Sequence, residues 1–430
     1  MMKKYFFLVL FFPALLAAQS VLSVDEALRI GMKNNFDILV AKNQADADSI
    51  LNSPGEAGML PSVVLNGGVG LNQNNIHQKY SNGNEIISTG VNGNNSNAGI
   101  ALSWTLFDGT KMFVTRQKLN QIDLLGEYQF KTQVLNTTSD ILLGYYDIVR
   151  QKQQLGYTDE IIQFNQERVT ITQARFTAGL GPKTDLLQAQ IDLNVQKETR
   201  INQEFLLAQA KRNLNEILAR DVNVLFDVAD SIPLSPLADR AQMEQKMLGA
   251  NPTLLAFKTQ VQISQLALRE TKSQYYPKVA LNAGYNFNLN QTAAGFSLYN
   301  QSYGWQTGLT FSMPLYQGGK LNRQTEIAQL DVESDQYRFQ QATLTASLEL
   351  QNAFAVYDTR TKQLELEKEN ETLSRENMKL ALERLRLGQG TALEVAQAQS
   401  TLSSALFRLS GFEFDVKAAE IDVHRQAADL

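Results

Sequence analysis

The sequence predicts long coiled-coil helices joined to transmembrane β strands, with several chains closing one β-barrel and continuing it as an α-helical barrel. Three observations carry this reading. Four segments of about ten residues alternate apolar with small polar side chains, as strands do that face lipid on one side and a lumen on the other. Two stretches keep an apolar residue at every seventh position, over lengths beyond any ordinary globular helix. The chain is also duplicated. Ala174–Leu193, ARFTAGLGPKTDLLQAQIDL, returns as Glu383–Leu402, ERLRLGQGTALEVAQAQSTL, at a constant offset of 209 residues.

Composition narrows the function classes. The 430 residues carry a formal net charge of −5, which gives a nucleic-acid partner no electrostatic footing. There is no cysteine, so disulfides, thiolate catalysis and zinc–cysteine sites are excluded. The two histidines, His77 and His424, have no partners at metal-ligand spacing. Gly181-Pro182-Lys183-Thr184 lacks the glycine spacing of a phosphate loop, and Pro182 separates its Gly from its Lys. Glu365–Arg375 is dense in mixed charge, which reads as a solvated helix face. No catalytic constellation, metal site or cofactor site emerges, and the expectation is a protein that is not an enzyme.

Residues 1–18 have the form of a secretory signal peptide: Lys3 and Lys4, an apolar run from Tyr5 to Leu16, then Ala17-Ala18. That run is short for a membrane helix. Val24 to Ser53 reads as one helix, ended by Pro54-Gly55 and Pro61. A β-hairpin is predicted over 62–107. Its first strand sets Val63, Leu65, Val69 and Leu71 against Asn66, Gly68, Gly70 and Asn72, and its return strand carries Ile100, Leu102, Trp104 and Leu106. The asparagine-crowded stretch from Asn72 to Asn97 reads as a long polar loop between them. A second hairpin, 278–315, sets Leu281, Tyr285 and Phe287 and then Tyr303, Trp305 and Leu309 against small polar residues. A soluble sheet with one buried face alternates in the same way. The lipid reading is favoured because both tryptophans, Trp104 and Trp305, fall on the apolar faces with Tyr285 and Tyr303, as membrane-interface aromatics do.

Between strands and bends run the long helices. From Gly109 to Gly179, Ile141, Ile148, Leu155, Ile162, Val169 and Phe176 keep the heptad; in the second half Leu350, Tyr357, Leu364, Glu371, Met378 and Leu385 keep it with one polar interruption. Each seam ends in a short glycine turn, at 179–184 and 388–391, after which a new helix opens on threonine and an acid, Thr184-Asp185 and Thr391 with Glu394. The return path comprises helix Lys183–Arg220, an irregular segment Asp221–Pro236 and helix Leu237–Tyr276. The chain divides accordingly into repeats 24–236 and 237–430, each a helix, a β-hairpin and a long helical hairpin. Asn35 with Asn251 and Pro61 with Pro277 pair at an offset of 216.

Four strands cannot close a barrel, and open strand edges are not viable in lipid. Three chains in cyclic symmetry would give twelve strands; two would give a filled barrel of eight. A homotrimer is the expectation.

Val24–Leu28 (VDEAL), Leu60-Pro61, Leu106–Thr110 (LFDGT), Leu315–Gly319 (LYQGG) and above all the two bends resemble the TolC family of outer-membrane efflux and secretion channels, from Val24 to nearly the C-terminus. The resemblance implies a trimer in the outer membrane of a Gram-negative bacterium with a large periplasmic part. It also implies docking of a periplasmic adaptor (membrane fusion protein) and, through it, an inner-membrane pump of RND, ABC or MFS type. By position, it puts adaptor-docking tips at Gly179, Leu180, Gly181, Gly388, Gln389 and Gly390, and tip-gate residues at Asp185, Gln188, Glu394 and Gln397. Family members carry an arginine inside the second turn, where this chain has Gln389 and Gly390; Arg384 and Arg386 precede that turn. The expected role is a passive exit duct for efflux or type I secretion. A stand-alone diffusion porin and a periplasmic coiled-coil scaffold are the alternatives, the first disfavoured by the heptad helices and bends, the second by the strands.

Overall fold

The computed structural model describes residues 21–295 and 297–430; the signal-peptide assignment lies outside them. The elements follow in the order α1 (Val24–Asn34), α2 (Phe36–Leu51), β1 (Ser62–Lys79), β2 (Glu85–Asp108), α3 (Lys111–Thr177), α4 (Lys183–Ile217), α5 (Arg240–Ala250), α6 (Pro252–Ser273), β3 (Lys278–Thr292), β4 (Tyr299–Ser312), α7 (Lys320–Arg386) and α8 (Ala392–Gln426). The lengths recur across the chain: α3 and α7 have 67 residues each, α4 and α8 have 35. Two compact units form, one from residues up to 42, 130–252 and 343–430, the other from 43–129 and 253–342.

The second unit contains an antiparallel sheet in the order β1-β2-β3-β4. Its apolar face sets Leu65 beside Ile100, Tyr285 and Trp305, and Trp104 beside Leu281 and Leu309. Most of these side chains are exposed, Trp305 at 79% and Leu65 at 77%, with Leu281 half-buried, so the face is largely unpartnered within one chain. The opposite face is asparagine, glycine, serine and threonine. The polar loop expected over Asn72–Asn97 is instead strand. β1 continues to Lys79 and β2 starts at Glu85, joined by a turn in which the Tyr80 amide donates to the Asn84 carbonyl (2.8 Å). Asparagine propensity favours loops, but here the main-chain pairing of β1 with β2, joined by β3 only from Gly93 onward, overrides it, and one bulge, between Asn74 and Ile76, absorbs the misfit, with Gly90 donating to Asn75 Oδ1. At the foot of the sheet Asp108 accepts from the Met112 amide and so starts α3. Gly109 takes φ +73°, and a Cβ there would clash with the Ser273 carbonyl, which accounts for the Asp-Gly pair.

The first unit is helical. The heptad seams are its core: Ile141, Ile148 and Ile162 on α3 and Leu350, Leu364, Met378 and Leu385 on α7 are buried, and the seam fades at Phe176, 39% exposed beside the bend. One cluster joins Ile141, Tyr145 and Ile148 to Leu214, Phe226, Val228 and Leu22; a second, toward the bends, joins Ile161, Met378 and Leu385 to Val395, Ala398 and Leu402. The segment between α4 and α5 holds the start of the described chain. Leu22 donates to the Asp227 carbonyl (2.8 Å), and Tyr145 donates to the Leu22 carbonyl (2.9 Å) while accepting from Ala229.

The single helices expected over Val24–Ser53 and Leu237–Tyr276 are each broken at one residue. Asn35 and Asn251 leave helical geometry with ψ 128° and 115°. Asn35 Oδ1 accepts from the Asp37 and Ile38 amides, and its Nδ2 donates to the carbonyl of Ile217, the last residue of α4 (2.8 Å). Asn251 Nδ2 donates likewise to Gln426, the last residue of α8 (2.9 Å). Each asparagine thus satisfies an orphan carbonyl at the end of a returning helix, and Pro252 reinforces the second break by removing an amide.

Candidate functional site at the two helical bends

α3 and α7 end in the same way. Gly179 and Gly388 adopt left-handed φ of +73° and +75°. The Leu180 amide donates to Arg175 O and the Gly179 amide to Phe176 O; Gln389 and Gly388 repeat both bonds onto Arg384 and Leu385. This is the Schellman arrangement, in which a glycine without a Cβ penalty lets the last carbonyls be satisfied. The third residue from each helix end is an arginine that folds back over its own turn: Arg175 Nη2 donates to Leu180 O at 3.3 Å, Arg384 Nη2 to Gln389 O at 3.1 Å.

Arg175 also reaches from the first bend to the second, its Nη1 donating to Leu385 O at 2.8 Å. Arg384 instead pairs with Glu394 at 3.3 Å. Arg386 ties α7 to α3 through Glu167, and Arg375 does so deeper through Glu160. Arg175 was not singled out in the sequence, although its pairing with Arg384 at offset 209 marks it.

The expected tip residues sit as follows. Gly179, Leu180, Gly388 and Gln389 are exposed, Leu180 at 71%, whereas Gly181 and Gly390 are half-buried against Arg175 and Arg384. Leu387 and Leu393 add exposed apolar surface at 66% and 77%. Thr391 caps α8, accepting from the Glu394 amide. The first bend differs from expectation: Pro182 is the cap of α4, without a side-chain bond, and Thr184 lies inside the first turn. The Asp185 amide there donates to the Pro182 carbonyl at 3.3 Å, so that donor is satisfied without a cap hydroxyl.

Asp185 lies in the first turn of α4 and carries no ion pair among the described residues. Gln188 donates to Asp192 (2.8 Å), which also receives Arg168, a guanidinium only 1% exposed. Gln397 is exposed, and its carboxamide has no partner among the described residues. Within one chain the two bends are therefore joined by Arg175, with the carboxamides of Gln188 and Gln397 directed elsewhere.

No helix among the described residues is long and apolar enough to cross a membrane, and no acidic, histidine or cysteine cluster suited to a metal occurs among them. A four-stranded sheet with one largely exposed apolar face, joined to two long helical hairpins, defines a protomer of an outer-membrane channel with a helical duct.

The chain belongs to the outer membrane efflux protein family, whose sequence profile matches residues 29–220 and 244–427. It is similar to the outer membrane protein TolC of Escherichia coli K12, 21% identical over 432 residues that cover 96% of this chain and 83% of TolC. It is similar also to the alkaline protease secretion protein AprF of Pseudomonas aeruginosa, 21% identical with 93% and 82% of the two chains covered. Among solved structures, the outer-membrane channel OprN superposes with a TM-score of 0.79 at 17% identity, covering 95% of this chain and 90% of that one. The protein is accordingly an outer-membrane exit duct with an α-barrel, a β-barrel and a large periplasmic part, and its family is one of channels rather than enzymes.

Proposed function

We propose that three copies of this chain close a twelve-stranded barrel and that the bends dock a periplasmic adaptor, making the protein the passive exit duct of a tripartite efflux pump or type I secretion system. The observation that carries this is the sheet. β1 and β4 are unpaired edges of a four-stranded antiparallel sheet, and such edges require neighbouring chains in lipid. Trp104 lies on the apolar face six register positions from Tyr303, or about 20 Å at a strand's rise. That separation suits aromatic girdles bounding an apolar band of about 25 Å, with Trp104 in one girdle and Tyr285, Trp305 and Tyr303 in the other.

At the bends, exposed Leu180, Leu387 and Leu393 surround the turns of Gly179, Gly181, Gly388, Gln389 and Gly390. A patch of this kind suits an apolar, partly helical partner surface. The two tandem repeats, 24–236 and 237–430, then supply six bends per trimer. Energy for export comes from a separate inner-membrane pump of RND, ABC or MFS type. The native mass of the detergent-extracted protein tests the assembly: a trimer is expected, and a stable monomer would contradict it. Co-expression tests the duct: export should require both this chain and a pump with its adaptor, whereas pump-independent leakage of the same solutes would favour a porin.

A further inference from the structure

On the polar face of the sheet, asparagine repeatedly faces glycine between β1 and β2, and faces asparagine between β2 and β3 at Asn95–Asn290 and Asn97–Asn288. Asn66 stands opposite Gly99, Gly68 opposite Asn97, Gly70 opposite Asn95 and Asn72 opposite Gly93. Gly99 also stands opposite Asn286, which faces Gly304 on its other side. The glycines leave room for the amides to lie over them. A Cβ on Gly68 would stand 2.9 Å from Asn97 Oδ1 and one on Gly93 2.5 Å from Asn72 Oδ1, and one on Gly70 would collide with Asn95 Oδ1.

This wall is uncharged. From Ser62 to Asp108 and from Lys278 to Ser312 the charged side chains are Lys79, Glu85, Asp108 and Lys278, all at strand ends. At the turn end of the sheet the face opens into a cavity of about 570 Å³, lined on this face by Asn72, Asn74, Gln78, Asn95 and Asn290 together with the apolar Ile76 and Val91; Asn94 and Gln291, which also border it, lie by register on the other face and bond each other. The carboxamides of Asn72, Asn74, Asn95 and Asn290 have no hydrogen-bond partner among the described residues.

We propose that this cavity is a binding site for a neutral, hydroxyl-rich ligand, an uncharged oligosaccharide, at the outer mouth of the lumen. The proposal rests on the reading that the polar face lines a barrel. A carboxamide presents donors and an acceptor in one plane, so it bonds a hydroxyl in either direction. Several of them, fixed over glycine, offer a polyol a pre-organised surface at strand spacing, about 4.8 Å. The absence of charge removes any gain for an anionic or cationic ligand, and the volume falls within the range of small-ligand sites.

The test uses maltohexaose as probe. The full-length protein is purified in an amine-oxide detergent, because maltoside headgroups carry the same chemistry, and its channels are verified in planar bilayers. Saturation-transfer NMR should then show transfer to maltohexaose. Transfer should fall about tenfold in N95A/N290A, the equivalent of two hydrogen bonds of ordinary net strength, and fall also in G70A, which displaces the Asn95 amide. Both variants change exposed wall positions and should still form channels. Open channels without transfer, or equal transfer in protein and variants, would overturn the sugar site alone. Transfer to an uncharged glycine–serine hexapeptide but not to maltohexaose would overturn the ligand class. Failure to form channels together with no transfer would overturn the barrel reading as well.

Discussion

A methyl group added at Gly179 would meet open space, whereas one at Gly388 would stand 3.4 Å from Nη1 of Arg175. Both positions have left-handed φ, so alanine at either should cost about 1 kcal/mol of backbone strain. Only at Gly388 does the new atom also touch the guanidinium that holds Leu385 O. We therefore expect G179A and G388A to lower thermal stability alike, while G388A and R175A, but not G179A, raise single-channel conductance by loosening the tip. Equal conductance in all three would remove Arg175 from the closed state. The glycines were legible in the sequence because stop signals are local. Arg175 was not, since its role depends on a carbonyl 210 positions away, and no periodicity reports such a contact. Gln188 and Gln397 stood out by position, yet the fold gives Gln188 to Asp192 and leaves Gln397 in solvent.

At the scale of the element, the heptads announced α3 and α7 and the alternation announced the strands, because each pattern is set by what a repeating backbone can bury. The extension of β1 and β2 through Asn72–Asn97 stayed hidden: asparagine signals a loop locally, and only the pairing of the two strands with each other reveals it. The breaks at Asn35 and Asn251 were visible as a repeated residue but not as breaks, since their partners are helix ends far along the chain. Replacing Asn35 by alanine removes the cap of α2 and orphans the Ile217 carbonyl, with an expected cost of about 2 kcal/mol. Replacement by serine should keep the cap and lose the bond to Ile217 without setting a charge against that carbonyl, which thermal unfolding of the two variants would separate. The segment between α4 and α5 should loosen in acid. Burial alone would push the Asp227 carboxyl up. The Lys152 bond, the Val228 amide and the charges of Lys152 and Lys211 outweigh it and hold the group below its ordinary 3.8. A lowered folded value means stability present above pH 3.8 and lost as pH falls through that lower value. Hydrogen exchange of residues 221–236 should accelerate there in the native protein but not in D227N, which should be loose at neutral pH already.

For the whole molecule, the proposed trimer would set three copies each of Asp185 and Glu394 around one axis. Dipole stabilisation explains an acid in the first turn of a helix without further role. Glu394 is already paired with Arg384, but Asp185 has no such partner among the described residues. A ring of unpaired carboxylates attracts cations. The D185A substitution should therefore reduce cation preference in planar bilayers more than E394A, and unchanged selectivity in both would take the acids out of the conducting path. The duct itself is a claim about which end meets a partner, and one measurement reaches it most directly. The chain has no cysteine of its own, so G181C and G390C carry single reactive thiols at the two bends. Site-specific crosslinking in cells should capture a periplasmic adaptor from both positions. Crosslinks to no other protein from either bend, in cells where export is active, would contradict the docked exit duct.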